Sequence, residues 1–329
     1  MARKTLVRLT GLAGAILLTA AGPAAAPPTR DNLARDNRMF LQRATKSLRW
    51  EVPAAPMPIV GPIYFVGTQG LGSYLIHTSD GLILMGTGLP SSGPMIAASI
   101  RKLGFKPEDI KIIVTWHAHA DHVGAVAYFK QLSGAKLAMM EGDVASMQDG
   151  GKSDFHYGWD WKTMGWPPAK VDRVLHDGDK VRLGEVELTA LATPGHTRGD
   201  TSWTTTVVDN DKTYTVVWPD GLSVNPGYRV GDDRPSYRGI GDDYRRIGAR
   251  LAALKPDIWL VAHVERFDLE GKRARAAQIG AEAFVDPAGY QKYIADQRAA
   301  FVAEAAREAR TSPDDGIKRG PAPDAGSAR

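Results

Sequence analysis

The chain has 329 residues, no cysteine, and 41 lysines and arginines against 37 aspartates and glutamates, a formal net charge of +4. Three of those positive charges, Arg3, Lys4 and Arg8, sit at the very start, so the other residues carry only +1 and lack the basic excess that a nucleic-acid partner demands. With no thiol available, disulfides, thiolate ligands and cysteine nucleophiles are excluded, and any metal ion would see nitrogen and oxygen only.

In chain order, residues 1–26 are expected to be a cleaved export signal. The basic start leads into the short apolar stretch LTGLAGAILLTAAG and the small-residue cleavage sites of GPAAAPP. That run is too short and glycine-rich for a stable membrane anchor, and the signal directs the mature chain to the periplasm. The rest suffices for one large domain, residues 27–310, expected to act as a monomer. Residues 27–56, with prolines at 27, 28, 53 and 56, read as an irregular N-terminal arm. PIYFVG, SYLIHT and GLILMG read as short strands parted by turns. SSGPMIAASIRKLG has helical spacing, with Ser92 as N-cap and Gly104 as stop. IKIIVTW has the β-branched character of a strand buried on both faces. A helix is expected from Asp121 through DHVGAVAYFKQLSG, then the strand KLAMM. KVRLG, VELTALATP, TSWTTTVV and TYTVVWP read as strands, GDDYRRIGARLAALKP as a helix ended by Pro256, and DIWLVAH as another buried strand. The last helix opens at Asp286-Pro287, and residues 311–329, without apolar periodicity, read as a disordered tail. Strands alternating with helices in two halves predict an α/β fold of sheets sandwiched between helical layers.

The most informative stretch is TWHAHADHVG. Three of the eight histidines, His117, His119 and His122, fall in one hexapeptide with Asp121. Imidazoles crowded together repel once two are protonated, a difficulty that a bound cation removes. His196 ends LATPGH and His263 ends DIWLVAH, so five of the eight histidines follow apolar strands, where an open sheet places its sites. His117 and His119 are two apart and project to one side of an extended segment. Asp121 and His122 then turn the chain toward a second ion. The six groups predict two three-ligand sites: His117, His119 and His196 in one, Asp121, His122 and His263 in the other. Three protein ligands per ion leave room for water, the arrangement of a catalytic zinc, and two zinc ions are expected per chain.

HAHADH resembles the His-x-His-x-Asp-His signature of the metallo-β-lactamase superfamily, and TPGHTRGDTSW resembles its next motif, a likeness running from about Ile63 to Tyr293. EGDVASMQDGGKSDFHYG, VDRVLHDGDKVRLG and LSVNPGYRV are similar to the third subclass of class B β-lactamases, whose second zinc is held by histidine instead of cysteine. The resemblance implies an αββα sandwich, two mixed sheets between helical layers, with a dinuclear zinc site at one edge held by the two triads above. It implies a hydrolase that opens the β-lactam amide of penicillins, cephalosporins and carbapenems by metal-bound hydroxide, with antibiotic resistance as the outcome. Two cations near a shared water would lower its pKa from about 15.7 toward roughly 7. Asp121 would serve as ligand and as orienter of that nucleophile, and Ser223 stands where the subclass holds the substrate carboxylate with a hydroxyl. The alternative is another hydrolase on the same scaffold, a lactonase or glyoxalase-type thioesterase, which a metal-bridging Asp220 would favour.

Three positions depart from the family pattern. Gly86 replaces the aspartate that usually steadies the metal loop, Gly221 replaces a serine that orients solvent or substrate, and Val264-Glu265 follow His263 where proline or small polar residues are common. FHYGWDWKTMGW, from Phe155 to Trp166, is expected to be a loop with at least half of its rings packed onto the domain.

Overall fold

The computed structural model describes residues 30–231 and 234–310; the expected export signal and C-terminal tail lie outside them. The chain enters on helix α1 (Arg30–Ser47), which replaces the irregular arm read from the prolines. Those prolines flank the helix instead of interrupting it. Tertiary contact holds it: Ala44 on α1 and Trp50 just beyond are buried with Leu71 and Leu89, and Asn37 Nδ2 donates to Asp160 at 2.9 Å.

Among the described residues the first sheet has seven strands in chain order: β1 (Met57–Val60), β2 (Ile63–Phe65), β3 (Tyr74–Thr78), β4 (Gly81–Met85), β5 (Ile110–Val114), β6 (Lys136–Met140) and β7 (Arg173–Leu175). β1 to β4 pair antiparallel and β4 to β7 parallel, and parallel neighbours need crossovers. Helices supply them: α2 (Gly93–Lys102), then α3 (Ala120–Val123) and α4 (Val126–Ser133), then α5 (Val144–Asp149) and α6 (Trp161–Met164). The second sheet has five strands, β8 (Lys180–Leu183), β9 (Val186–Ala192), β10 (Thr201–Asp209), β11 (Lys212–Trp218) and β12 (Ile258–Trp259), among the described residues. β8 to β11 form an antiparallel meander, and β12 joins β11 in parallel after helix α7 (Ile240–Ala253). Helices α8 (Leu269–Ile279) and α9 (Pro287–Arg310) follow.

The sheets face each other across one core, where Phe65, Tyr74, Met85 and Trp116 meet Leu188, Trp203, Val216 and Trp218. Trp203 spans the gap, its Nε1 donating to the Thr115 carbonyl at 2.9 Å. On the outer face of the first sheet, Leu75, Leu84, Ile113 and Leu137 pack on Ile96 and Ile100 of α2 and Val126 and Phe129 of α4. On the other side, α7 and α9 share the inner core and stack Tyr244 on Phe301, ring centroids 5.0 Å apart. The architecture is therefore an αββα sandwich. Among the described residues no helix is long and apolar enough to cross a membrane.

Three local expectations need correction. Ser92 precedes α2 but does not cap it with its side chain; the hydroxyl accepts from the Leu89 N–H at 3.0 Å instead. The helix expected from Asp121 breaks between α3 and α4 at Gly124, whose N–H goes to the Gly88 carbonyl at 2.9 Å. Only Ile258–Trp259 of DIWLVAH is strand, because Ala262 turns to accept from the Gly72 N–H at 2.7 Å, carrying His263 toward the first sheet.

Candidate metal centre

All six predicted ligands lie beyond the C-terminal ends of strands, at one edge of the sandwich. His117 and His119 follow β5, Asp121 and His122 lie in α3, His196 sits between β9 and β10, and His263 follows β12. His117, His119 and His196 present ring nitrogens within 4.8 Å of one another.

Hydrogen bonds fix which nitrogen of each ring is free. His117 Nδ1 donates to Asp220 Oδ2 at 2.7 Å, with the fully buried Asp200 at 3.5 Å; His119 Nε2 donates to Asp154 Oδ2 at 3.3 Å; His196 Nδ1 donates to the Ser223 carbonyl at 2.9 Å. That leaves lone pairs on His117 Nε2, His119 Nδ1 and His196 Nε2. The first is buried without a partner, and the other two face each other at 3.1 Å. Opposed lone pairs repel unless something positive lies between them. Donors on a tetrahedral ion with bonds of about 2.0–2.1 Å stand roughly 3.3 Å apart, so the spacing fits a metal ion. The other triad is similar: Asp121 Oδ2 lies 3.2 Å from His122 Nε2 and 3.5 Å from His263 Nε2.

Electrostatics favour neutral, ligating imidazoles. Burial, then the neighbouring rings, pushes His117 well below the usual imidazole range; burial takes His122 and His263 down to about 3 and His196 to about 4. His119 moves up instead: burial lowers it, but the hydrogen bond and charge of Asp154 outweigh that. The donor set is thus all nitrogen and carboxylate, with four of the five imidazoles held uncharged by burial and His117, His119 and His196 oriented by acceptors behind them, which suits zinc.

Side chains that sequence reasoning missed hold the loops in place. Asp143, buried at 3% exposure, accepts from Ala118 N–H, the Thr197 hydroxyl and Gly199 N–H, each at 2.8 Å, tying the two ligand loops together. Thr87, beside Gly86, donates its N–H and hydroxyl to the His122 carbonyl at 2.8 and 3.1 Å. The loop is therefore supported without a carboxylate at position 86. Gly221 is fixed by geometry: φ is +97°, and a Cβ there would lie 2.1 Å from the Thr193 carbonyl oxygen. Asp143 and Asp154 lie inside EGDVASMQDGGKSDFHYG, but their roles depend on contacts 25 and 35 residues away.

The cleft at the ligands is lined by Phe40, Leu41, Leu48 and Trp50 from the α1 region, together with Tyr157, Ser223, Asn225, Glu265 and Arg266. Ser223 is thus at the cleft, with its hydroxyl 3.1 Å from His196 Nδ1. The aromatic loop divides. Phe155 and His156 pack on Tyr228 and Trp166 is buried, Tyr157 faces His119 at 5.4 Å, and Trp159 and Trp161 are exposed.

Lone-pair donors gathered at the open edge of an αββα sandwich mark a metallohydrolase scaffold. The chain belongs to the metallo-β-lactamase superfamily, whose family model matches residues 73–207. It is similar to the native FEZ-1 metallo-β-lactamase from Legionella gormanii, with 42% identity and a TM-score of 0.76 over 79% of this chain and 98% of that one. It is also similar to BJP-1, a subclass B3 metallo-β-lactamase of Bradyrhizobium japonicum, with 38% identity and a TM-score of 0.75 over 81% and 98%. Among curated relatives, a hydroxyacylglutathione hydrolase of Rhodopseudomonas palustris is 31% identical over 139 residues, 42% of this chain and 44% of that protein. The chain thus spans less than half the length of that relative.

Proposed function

We propose that the protein is a β-lactamase that holds two zinc ions, is exported to the periplasm and works there as a monomer on penicillins, cephalosporins and carbapenems. The observation that carries this is the second triad. Asp121 Oδ2 lies 3.2 Å from His122 and 3.5 Å from His263, and His117 shares a donor cluster with Asp121 and His122, an arrangement that supports a second ion beside the first under one cleft. Similarity to FEZ-1 and BJP-1 over nearly their whole lengths supports the β-lactam as substrate.

When bound, the cations supply Lewis acidity toward a carbonyl oxygen and a water acidified toward neutral pH. The chain's own residues do the rest. The Asp121 carboxylate would help hold the second cation and orient the attacking water. Asp220 and Asp154 hold His117 and His119 with one fixed nitrogen free. Ser223 and Asn225, with Arg266 nearby, offer hydroxyl, amide and positive charge to a substrate carboxylate, and the apolar wall of α1 excludes water.

The second reading is a thioesterase of the hydroxyacylglutathione hydrolase type, favoured by the similarity to such enzymes. A bridging Asp220 would support it, but Asp220 Oδ2 is committed to His117 Nδ1. The test compares Asp121→Ala with Ser223→Ala on imipenem and a cephalosporin, with intact mass recorded during turnover. Asp121→Ala should lose the several kcal/mol at stake in metal-ion catalysis. Ser223→Ala should lose about 1.5–3 kcal/mol, the worth of one hydrogen bond to a charged group, largely in KM. A covalent adduct on the pathway, or near-normal turnover by Asp121→Ala, refutes the proposal.

A further inference from the structure

We propose that Trp116 is the positioning residue for the His122 ring, and that Gly86 provides the space that lets it act. The inference rests on the second cation position proposed above. Ligating imidazoles are generally oriented by a hydrogen bond to the nitrogen that does not meet the metal, as His117, His119 and His196 are here. His122 lacks this device: both of its ring nitrogens are buried with no hydrogen-bond partner.

Packing fixes the ring instead. The Trp116 indole meets His122 edge to face, centroids 5.7 Å apart and planes 73° apart, while the His117 and His263 rings lie at 4.4 and 5.0 Å. Trp116 is itself immobilised. It is fully buried between the sheets, meets Tyr74 edge-on at 6.2 Å, and its carbonyl accepts from Thr201 N–H at 2.8 Å. Its six-membered ring fills the volume that a side chain at position 86 would need. A Cβ on Gly86 would lie 2.2 Å from Trp116 Cζ3 and 2.8 Å from Cη2, at a φ of +72°. The obstacle is a ring locked in the core, so this tryptophan and any side chain at 86 exclude each other. Thr87 anchors the His122 backbone, and Trp116 sets the angle at which the imidazole faces Asp121 and the cation.

The test uses cation-stripped wild-type protein and the variants Trp116→Ser, Trp116→Phe, Trp116→Leu, Gly86→Asp and Gly86→Asp/Trp116→Ser. Each is titrated with Zn²⁺ by calorimetry and melted in the stripped form. Wild type should take up two equivalents. Trp116→Ser should weaken the second equivalent roughly 10- to 100-fold and leave the first within about twofold, whereas Trp116→Phe, which keeps a ring wall, should hold the second within about threefold. If Trp116→Ser does not fold, Trp116→Leu should give the same selective loss. Gly86→Asp alone should lower the melting temperature, and in a double-mutant cycle its cost should be clearly smaller in the Trp116→Ser background than in wild type. Equal weakening of both equivalents by Trp116→Ser or Trp116→Leu, an unchanged second equivalent, or a Gly86→Asp protein that melts with wild type would overturn the proposal. Wild-type uptake of fewer than two ions would instead overturn the second cation position, a result visible before any variant is made.

Discussion

Replacing Asp143 by alanine should loosen both metal loops without touching a ligand. One buried carboxylate accepts from Ala118, between two of the ligands, and from Thr197 and Gly199, just after a third. Burial raises its pKa and those three donors oppose the rise. Alanine leaves two backbone N–H groups and a hydroxyl buried without their acceptor. Each stranded backbone donor costs about 1–3 kcal/mol, while the hydroxyl can rotate, so a net loss of about 4 kcal/mol is expected. At roughly 2–4 °C per kcal/mol for a chain of this class, the melting temperature should fall by about 8–16 °C. Asparagine keeps the shape and one acceptor oxygen and should recover about half of that. The assay is a circular-dichroism melt of cation-stripped protein, paired with a zinc titration in which both affinities fall. An Asp143→Ala protein that melts within about 2 °C of wild type would refute the clamp.

Asn37→Ala removes the 2.9 Å bond from α1 to Asp160; hydrogen exchange should accelerate across residues 30–47 while the global melting temperature hardly moves, as befits a separately opening unit. Gly221→Ser should destabilise the protein and not improve turnover, because the new Cβ meets the Thr193 carbonyl at 2.1 Å; a variant as stable as wild type would contradict this. For Asp286, burial raises the carboxyl, but hydrogen bonds from Lys272 and Gly289 and the Lys272 charge outweigh it and hold the group below its usual range. Its contribution is therefore present above the unfolded carboxylate value near 3.9 and is lost as pH falls through the lower folded value. The stability difference between wild type and Asp286→Asn, measured in urea, should be steady near neutrality and shrink in acid.

The ligand set was legible because it is local. HAHADH supplies four of the six groups in one turn of chain, and the other two histidines end apolar runs, so strand ends and chemistry coincide in the sequence. What supports those ligands was not legible. Asp143, Asp154 and Thr87 act across 25 to 56 residues, and a carboxylate in EGD or SDF carries no mark of the loop it will meet. Helix α1 is hidden from the sequence for the same reason. Its prolines suggested irregular chain, whereas burial of Ala44 and the Asn37 contact with Asp160 decide in favour of helix. The departure at Gly86 reads in the sequence as a lost support, whereas the Trp116 ring fills the space that a side chain there would need.

The most direct test of the central claim is hydrolysis of imipenem measured beside a hydroxyacylglutathione thioester, before and after chelation and after zinc is restored. The expected result is imipenem turnover that vanishes with the chelator and returns with zinc, at a kcat/KM far above that for the thioester. Chelator-insensitive turnover, or thioester hydrolysis with imipenem untouched, would contradict it.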